Sequence, residues 1–279
     1  MITQAMIMLI IGVIAGLMGS ILGLGGGILV TPALTLMGVD IKYAIAASII
    51  AVIATSSGSA IAFLKDDVLN LRVAMFLEIF TTLGALIGAL LTGYFDGTVL
   101  YFLFGALLIF QAWNMWKKLR VKIDERVEIN HDRLANKLQL NGFYYDKNTK
   151  KEVRYSLKNV PGGAAVMFGA GVASGLLGIG SGAFKVMAMD GVMKMPLKSS
   201  TSTSNLMMGV TAAASAVIYF FSGMIQPVIA VPIALGIIVG YSFGARLMQY
   251  LPSKLIRQIF IPFVLLMAIQ LILKGLGMD

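Results

Sequence analysis

Apolar stretches of about 20 residues, the length a helix needs to cross a bilayer, recur along this 279-residue chain from its first residues to its last. Few folds tolerate that pattern. Hydrophobic residues make up 58% of the sequence and charged residues 13%, proportions that exclude a soluble domain of this size, a disordered chain and a secreted disulfide scaffold. The expected fold class is all-α, a polytopic membrane protein held in the lipid bilayer. The sequence has no cysteine and a single histidine, His131, so thiol chemistry, haem ligation and the common zinc sites lack ligands. No cofactor and no metal are expected. The formal charge of +9 does not point to nucleic acid, because 12 of the 22 Lys and Arg residues fall between positions 117 and 158. Basic residues clustered beside membrane segments mark a cytoplasmic loop under the positive-inside rule.

An internal duplication organises the chain. Gly-Leu-Gly-Gly-Gly at 23–27 answers Gly-Ile-Gly-Ser-Gly at 178–182. Further on, at an offset of 156, Lys42 falls on Lys198, Ser48 on Ser204, Thr55 on Thr211 and Ser59 on Ser215. Gly84, Gly88 and Tyr94 then fall on Gly240, Gly244 and Tyr250. The N-terminal run thus has an internal counterpart and no Lys or Arg ahead of it, so it reads as a membrane segment and not a cleaved leader.

Each copy holds five hydrophobic segments, about 4–22, 28–37, 43–64, 73–95 and 98–116, then about 161–177, 183–193, 199–221, 227–249 and 254–273. The second segment of each copy spans only about half the hydrocarbon core at 1.5 Å per residue. An odd number of segments per copy predicts that the second copy enters the membrane inverted. The loop charges agree. With 118–160 on the cytoplasmic side, Lys65, Arg72, Lys194, Lys198, Arg246, Lys254 and Arg257 fall at or near the inner face, Lys42 and Lys274 fall outside, and both termini face out. The expected organisation is a first repeat over 1–117, a basic cytoplasmic loop over 118–160 with hairpin signals near its end, and an inverted second repeat over 161–279, in the cell membrane. Inverted repeats with interrupted helices are a transporter architecture.

Glycine runs break a helix where it should continue, and irregular backbone at membrane depth survives only inside protein or beside a wet cavity. The half-helix after each break starts with unpaired N–H groups and a positive dipole end, a natural anion site. Gly25, Gly26 and Gly27 in the first copy and Gly180, Ser181 and Gly182 in the second are therefore candidate contacts for a small anionic substrate. Close helix packing is the competing use of glycine, expected at Gly84, Gly88, Gly240 and Gly244. Thr203, Ser204 and Asn205 open the helix after the second break and can donate hydrogen bonds, although hydroxyls also join membrane helices. Lys185 lies three residues past Gly182, inside a spanning segment, where a charge costs about 2.5–3.5 kcal/mol on insertion scales. An anion beside it offsets that cost; Glu78 or Asp190 are the alternative charge partners and the candidates for ion coupling. No Ser-His-Asp set and no P-loop are present, so neither an enzyme nor an ATP-driven pump is expected.

The paired glycine-rich breaks, each followed by a half-helix and then Lys-x-[AS]-x-x-[TA]-Ser at 42–48 and 198–204, resemble the TauE/SafE family of sulfite exporters. The resemblance covers nearly the whole chain except 118–160. It implies export of sulfite, sulfoacetate or a related organosulfonate. Ser181 departs from the family pattern where glycine is usual, Met187 stands opposite Pro32, and Lys185 and Asp190 are charges that pattern does not contain. Alternating access at a midplane site is the expected mechanism; a proton-coupled uptake carrier, an anion channel and a membrane scaffold stand beside it, and a homo-oligomer is compatible with each.

Overall fold

A computed structural model describes residues 2–22, 25–64, 69–120, 132–146, 151–248 and 253–277. Gly23, Lys65, His131, Tyr250 and the charged stretch 121–131 lie outside the described residues. The first half contains α1 (Ile2–Leu22), α2 (Gly27–Leu36), α3 (Ile41–Leu64), α4 (Leu71–Thr92) and α5 (Gly97–Arg120). A short α6 (Arg133–Lys137) and an antiparallel hairpin of β1 (Gly142–Asp146) and β2 (Lys151–Tyr155) follow. The second half contains α7 (Val160–Leu177), α8 (Gly182–Val186), a π-helical stretch (Met187–Val192), α9 (Leu197–Phe221), α10 (Pro227–Met248) and α11 (Ser253–Gly275). Among the described residues, seven of these helices are long and apolar enough to cross a membrane, and the protein is an all-α polytopic membrane protein apart from its hairpin.

Side-chain placement along α4 shows how these helices meet lipid. Met75, Ile79, Leu83, Ile87 and Leu90 are exposed along one face, while Val73, Leu77, Thr81, Gly84, Ala85 and Gly88 are buried on the other. Large apolar residues outside and small ones inside reverse the order of a water-soluble helix and match membrane packing, where small residues let backbones approach. The glycines supply that approach. A Cβ on Gly171 or Gly175 of α7 would run into the carbonyl oxygens of Thr81 and Ala85 on α4, and one on Gly84 or Gly88 into those of Phe168 and Val172. The same relation joins α1 to α10, where Gly12, Gly16, Gly236 and Gly240 face Ile233, Ile237, Leu9 and Val13. The first helix of each half therefore packs on the fourth helix of the other half, α3 packs on α9, and α5 on α11.

The π-helical stretch has a cause in the sequence. Gly25 and Gly180 are 155 residues apart, whereas Lys42 and Lys198 are 156 apart. One extra residue therefore enters the second copy between its glycine break and α9. An inserted residue in an α-helix is accommodated by a widened π turn, and Met187–Val192 is where that turn lies.

Two hydrophobic clusters form the interior. The larger one joins α2, α3, α5, α10 and α11 around Ile28, Val30, Leu34, Ile45, Val52, Phe104 and Ile233. The smaller one docks the loop subdomain, placing Leu140, Tyr144, Tyr155 and Leu157 against Val73, Leu77, Met167, Met189, Met193, Met195 and Met207. Unbranched methionines fill such an irregular seam well. Asn70 pins the seam with polar contacts: its side chain caps α4 at the Val73 N–H and donates to the Leu140 carbonyl and the Tyr155 hydroxyl, both at 2.9 Å.

Candidate functional site

The two breaks meet in the interior. Helix α7 is capped by Gly178, whose φ of +67° suits glycine, and the chain re-enters a helix at Gly182 after Gly180 (φ +69°) and Ser181 (φ +47°). Gly25, with φ +76°, precedes α2 in the same way. A Cβ on Gly27 would stand 2.5 Å from the carbonyl oxygen of Gly178, so the start of α2 lies directly against the end of α7. The side chains of Val52 and Met208, which are equivalent at the 156-residue offset, lie against both Gly25 and Gly180. The breaks are thus adjacent and flanked by apolar side chains.

Hydroxyls from α3 and α9 tie the breaks down. Ser48 Oγ donates to the Gly178 carbonyl at 2.7 Å, and its equivalent, Ser204 Oγ, donates to the Gly182 carbonyl at 3.1 Å. Thr55 Oγ1 accepts from the Gly26 N–H at 3.4 Å. Ser181 behaves differently. Its side chain is fully buried, makes no cap on α8, and its Oγ has no hydrogen-bond partner. A non-glycine residue held in the left-handed region with an orphaned buried hydroxyl carries two local costs at once.

Lys185, on α8, has 0% of its surface exposed. Its Nζ donates to Thr211 Oγ1 at 2.5 Å, and that hydroxyl reaches Glu78 Oε1 on α4 at 2.6 Å. Thr82 Oγ1 also donates to Glu78 Oε1, at 3.2 Å, while the buried Oε2 has no partner. Glu78, the alternative charge partner read from the sequence, is therefore the carboxylate that shares a hydroxyl with Lys185. Asp190 lies in the π-helical stretch and is half-buried. Thr211 was absent from the expected site. The repeat register that sets it opposite Thr55 is the signal that marks it.

Thr203, Ser204 and Asn205 are all buried near the start of α9. Ser204 reaches the break, whereas Thr203 Oγ1 accepts from the backbone N–H of Asn70 at 3.1 Å, facing the loop subdomain. One turn earlier, Ser199 Oγ and the Tyr155 hydroxyl are 3.1 Å apart. Burial holds the Tyr155 phenol above its ordinary value, against the lowering effect of Ser199 and Asn70. At the start of α3, Lys42 Nζ donates to the Gly93 carbonyl at 3.3 Å, and Lys274 Nζ donates to that of Thr35 at the end of α2. Both cations thereby sit at helix C-termini, where the dipole favours them.

Among the described residues, no group of three His, Cys, Asp or Glu side chains is arranged to hold a metal ion. The interior chemistry is that of helix starts, hydroxyls and the bridged charges of Lys185 and Glu78. Comparison with known proteins points to a membrane transporter. The chain is 27% identical to the Bacillus subtilis protein named probable membrane transporter protein YunE, over 97% of this chain and 98% of that one. It is 23% identical to probable membrane transporter protein YdhB of the same organism, over 90% and 92% of the two chains. No solved structure matches. The family described as sulfite exporter TauE/SafE matches residues 8–271, both glycine breaks and the helices around them included, and the chain belongs to this family of membrane transporters, which are not enzymes.

Proposed function

We propose that the protein exports a small oxyanion, sulfite, sulfoacetate or a related sulfonate, by alternating access at a midplane site shared by the starts of α2 and α8. Ser181 is the observation that carries this reading: a buried hydroxyl with no partner, at a helix start, four residues before a buried lysine. An oxyanion there accepts from Ser181 and from first-turn N–H groups that have no helical acceptor behind them. Gly25–Gly27 and Gly180–Gly182 form the backbone cradle, Ser204 and Asn205 border it, and Lys185 supplies the charge. Thr203 belongs to the inner rim.

Inverted topology of the two repeats supports alternation. Each half's first helix packs on the other's fourth, an exchange expected of two copies related by an axis in the membrane plane. In this reading the loop 118–160 is cytoplasmic and both termini are outside. Val52 and Met208 lie beside both breaks, so a guest enters only as α3 and α9 shift and part these side chains. The inside-negative potential favours exit of an anion that crosses alone by about 2.3 kcal/mol per charge at 100 mV, whereas an anion that crosses with a proton leaves down its own concentration gradient.

Purified protein should gain thermal stability with sulfite or short sulfonates and not with an uncharged analogue, since a ligand of the folded form raises its midpoint. Lys185→Ala should abolish sulfite efflux from proteoliposomes while the protein remains folded. Undiminished efflux would remove Lys185 from the site, and the absence of any anion-dependent shift or flux would refute the exporter reading.

A further inference from the structure

We infer that Glu78 is a proton-binding site and that a proton accompanies each monovalent anion, so that transport is electroneutral. The inference rests on the reading of Lys185 as the anion contact. Its starting point is the chain Lys185–Thr211–Glu78, in which one hydroxyl stands between a fully buried ammonium and a carboxylate. A hydroxyl has one proton to give. Thr211 accepts from Lys185 and so donates onward to Glu78 or to the Met207 carbonyl. The two opposite charges offset each other while no anion is bound.

An anion that binds Lys185 ends that balance. The positive charge is then shared with the guest, and Glu78 is left as an excess negative charge inside a low-dielectric bundle, one hydroxyl away. A carboxylate in that position gains by taking up a proton. Glu78 is built to do so, because Oε1 is held by Thr211 and Thr82 while Oε2 is buried without a partner. A proton needs one acceptor atom, whereas a metal ion needs several oxygens. The titratable groups on α4's partners and their neighbours, among the described residues, are Lys185 on α8, Asp190 in the π-helical stretch, Lys198 and Tyr219 on α9, and Tyr144 and Tyr155 of the hairpin against the start of α4; α7 has none, and Arg72 lies at the start of α4 itself. Of these, Lys185 is the one joined to Glu78 through a shared hydroxyl.

The test uses full-length protein in liposomes with labelled methanesulfonate, whose charge is fixed across the working pH range, and with labelled sulfite. With voltage clamped at zero, a gradient of about one pH unit should drive about tenfold methanesulfonate accumulation on the alkaline side, because each proton running down its gradient carries one anion with it and flux stops when the anion ratio is the inverse of the proton ratio. Voltage at equal pH should drive none, and a trapped pH dye should report proton movement with the anion. Accumulation that follows voltage and ignores pH would overturn the inference while leaving the exporter reading intact. No flux of either anion would overturn both. Glu78→Gln should exchange pH-driven for voltage-driven accumulation, and Glu78→Asp should keep the pH response with a displaced midpoint. Loss of the pH response in Asp190→Asn, with retention in Glu78→Gln, would assign the proton elsewhere and defeat the inference.

Discussion

The two half-helices occupy equivalent places in the duplicated sequence and carry opposite chemistry. Lys185 in the second copy stands where Val30 stands in the first, and both are fully buried. Thr211 corresponds to Thr55, which accepts the Gly26 N–H where Thr211 accepts from a lysine. Glu78 corresponds to Ala234, so the place related to Lys185–Thr211–Glu78 by the duplication holds Val30, Thr55 and Ala234. Ser181 replaces Gly26, and the extra residue that widens the helix into a π turn is confined to the second copy. The difference teaches that duplication supplies the scaffold twice, whereas charge, strain and the orphaned hydroxyl are concentrated at one of two related positions.

Removing the threonine hydroxyl on each side gives the widest separation between the copies. Thr211→Val leaves Lys185 and Glu78 buried without their bridge, and breaking a buried charge network typically costs about 3 kcal/mol or more. Thr55→Val removes one hydrogen bond from a glycine amide, a loss of about 1 kcal/mol. Denaturation of the two variants in detergent should show that ordering. Equal losses would mean that the charges do not distinguish the copies energetically.

The packing glycines should show no such asymmetry. Gly175→Ala drives a methyl into the Ala85 carbonyl, and Gly240→Ala drives one into that of Val13. Backbone cannot yield as a flexible side chain can, so overpacking should cost about 2 kcal/mol at either site. Thermal midpoints that fall together would support a scaffold shared equally by both halves; a loss confined to one would show that the α1–α10 and α4–α7 contacts are not equivalent.

Ser181→Gly tests the strained break from the opposite direction. Glycine adopts φ +47° without a Cβ penalty and leaves no hydroxyl orphaned, so the variant should be more stable by about 1 kcal/mol. The same change should weaken anion-dependent stabilisation, the usual exchange when strain serves a binding site. A variant that is less stable, or that binds as before, would detach Ser181 from function.

These contrasts were unequally legible in the sequence. Helical segments could be located because apolar runs and glycine breaks are local signals, and each of the ten read from the sequence forms helix, α1 to α5 and α7 to α11 with the π stretch. Lys185 stood out because a charge in an apolar run is conspicuous. Its bridge to Glu78 through Thr211 was not readable, since three residues on three helices meet only after packing. Ser181 was marked as a departure from glycine, but its left-handed backbone and unsatisfied Oγ depend on how α7 and α8 are aligned. The docking of Tyr155 onto Ser199 is likewise a tertiary contact, made by a loop whose sequence signals solvent exposure and a hairpin but not the surface on which that hairpin rests.

That docking gives the smallest expected effect and bears on which copy the loop subdomain seals. Tyr155 reaches Ser199 in the second copy, whereas the equivalent first-copy position is the exposed Tyr43. Tyr155→Phe keeps the buried ring and removes the hydroxyl shared with Ser199 and Asn70, which should cost about 0.5 kcal/mol. The pH dependence fixes the cause. Burial raises the phenol above its ordinary 10.0, so an unfolded chain ionises first as pH climbs and the folded state then holds more protons. Stability from this group is complete below pH 10.0 and declines above it. Phenylalanine does not titrate, so the wild-type advantage over Tyr155→Phe should be constant at lower pH and shrink on passing that value. An advantage that stays constant through the alkaline range would mean that the Tyr155 hydroxyl does not hold the subdomain to α9.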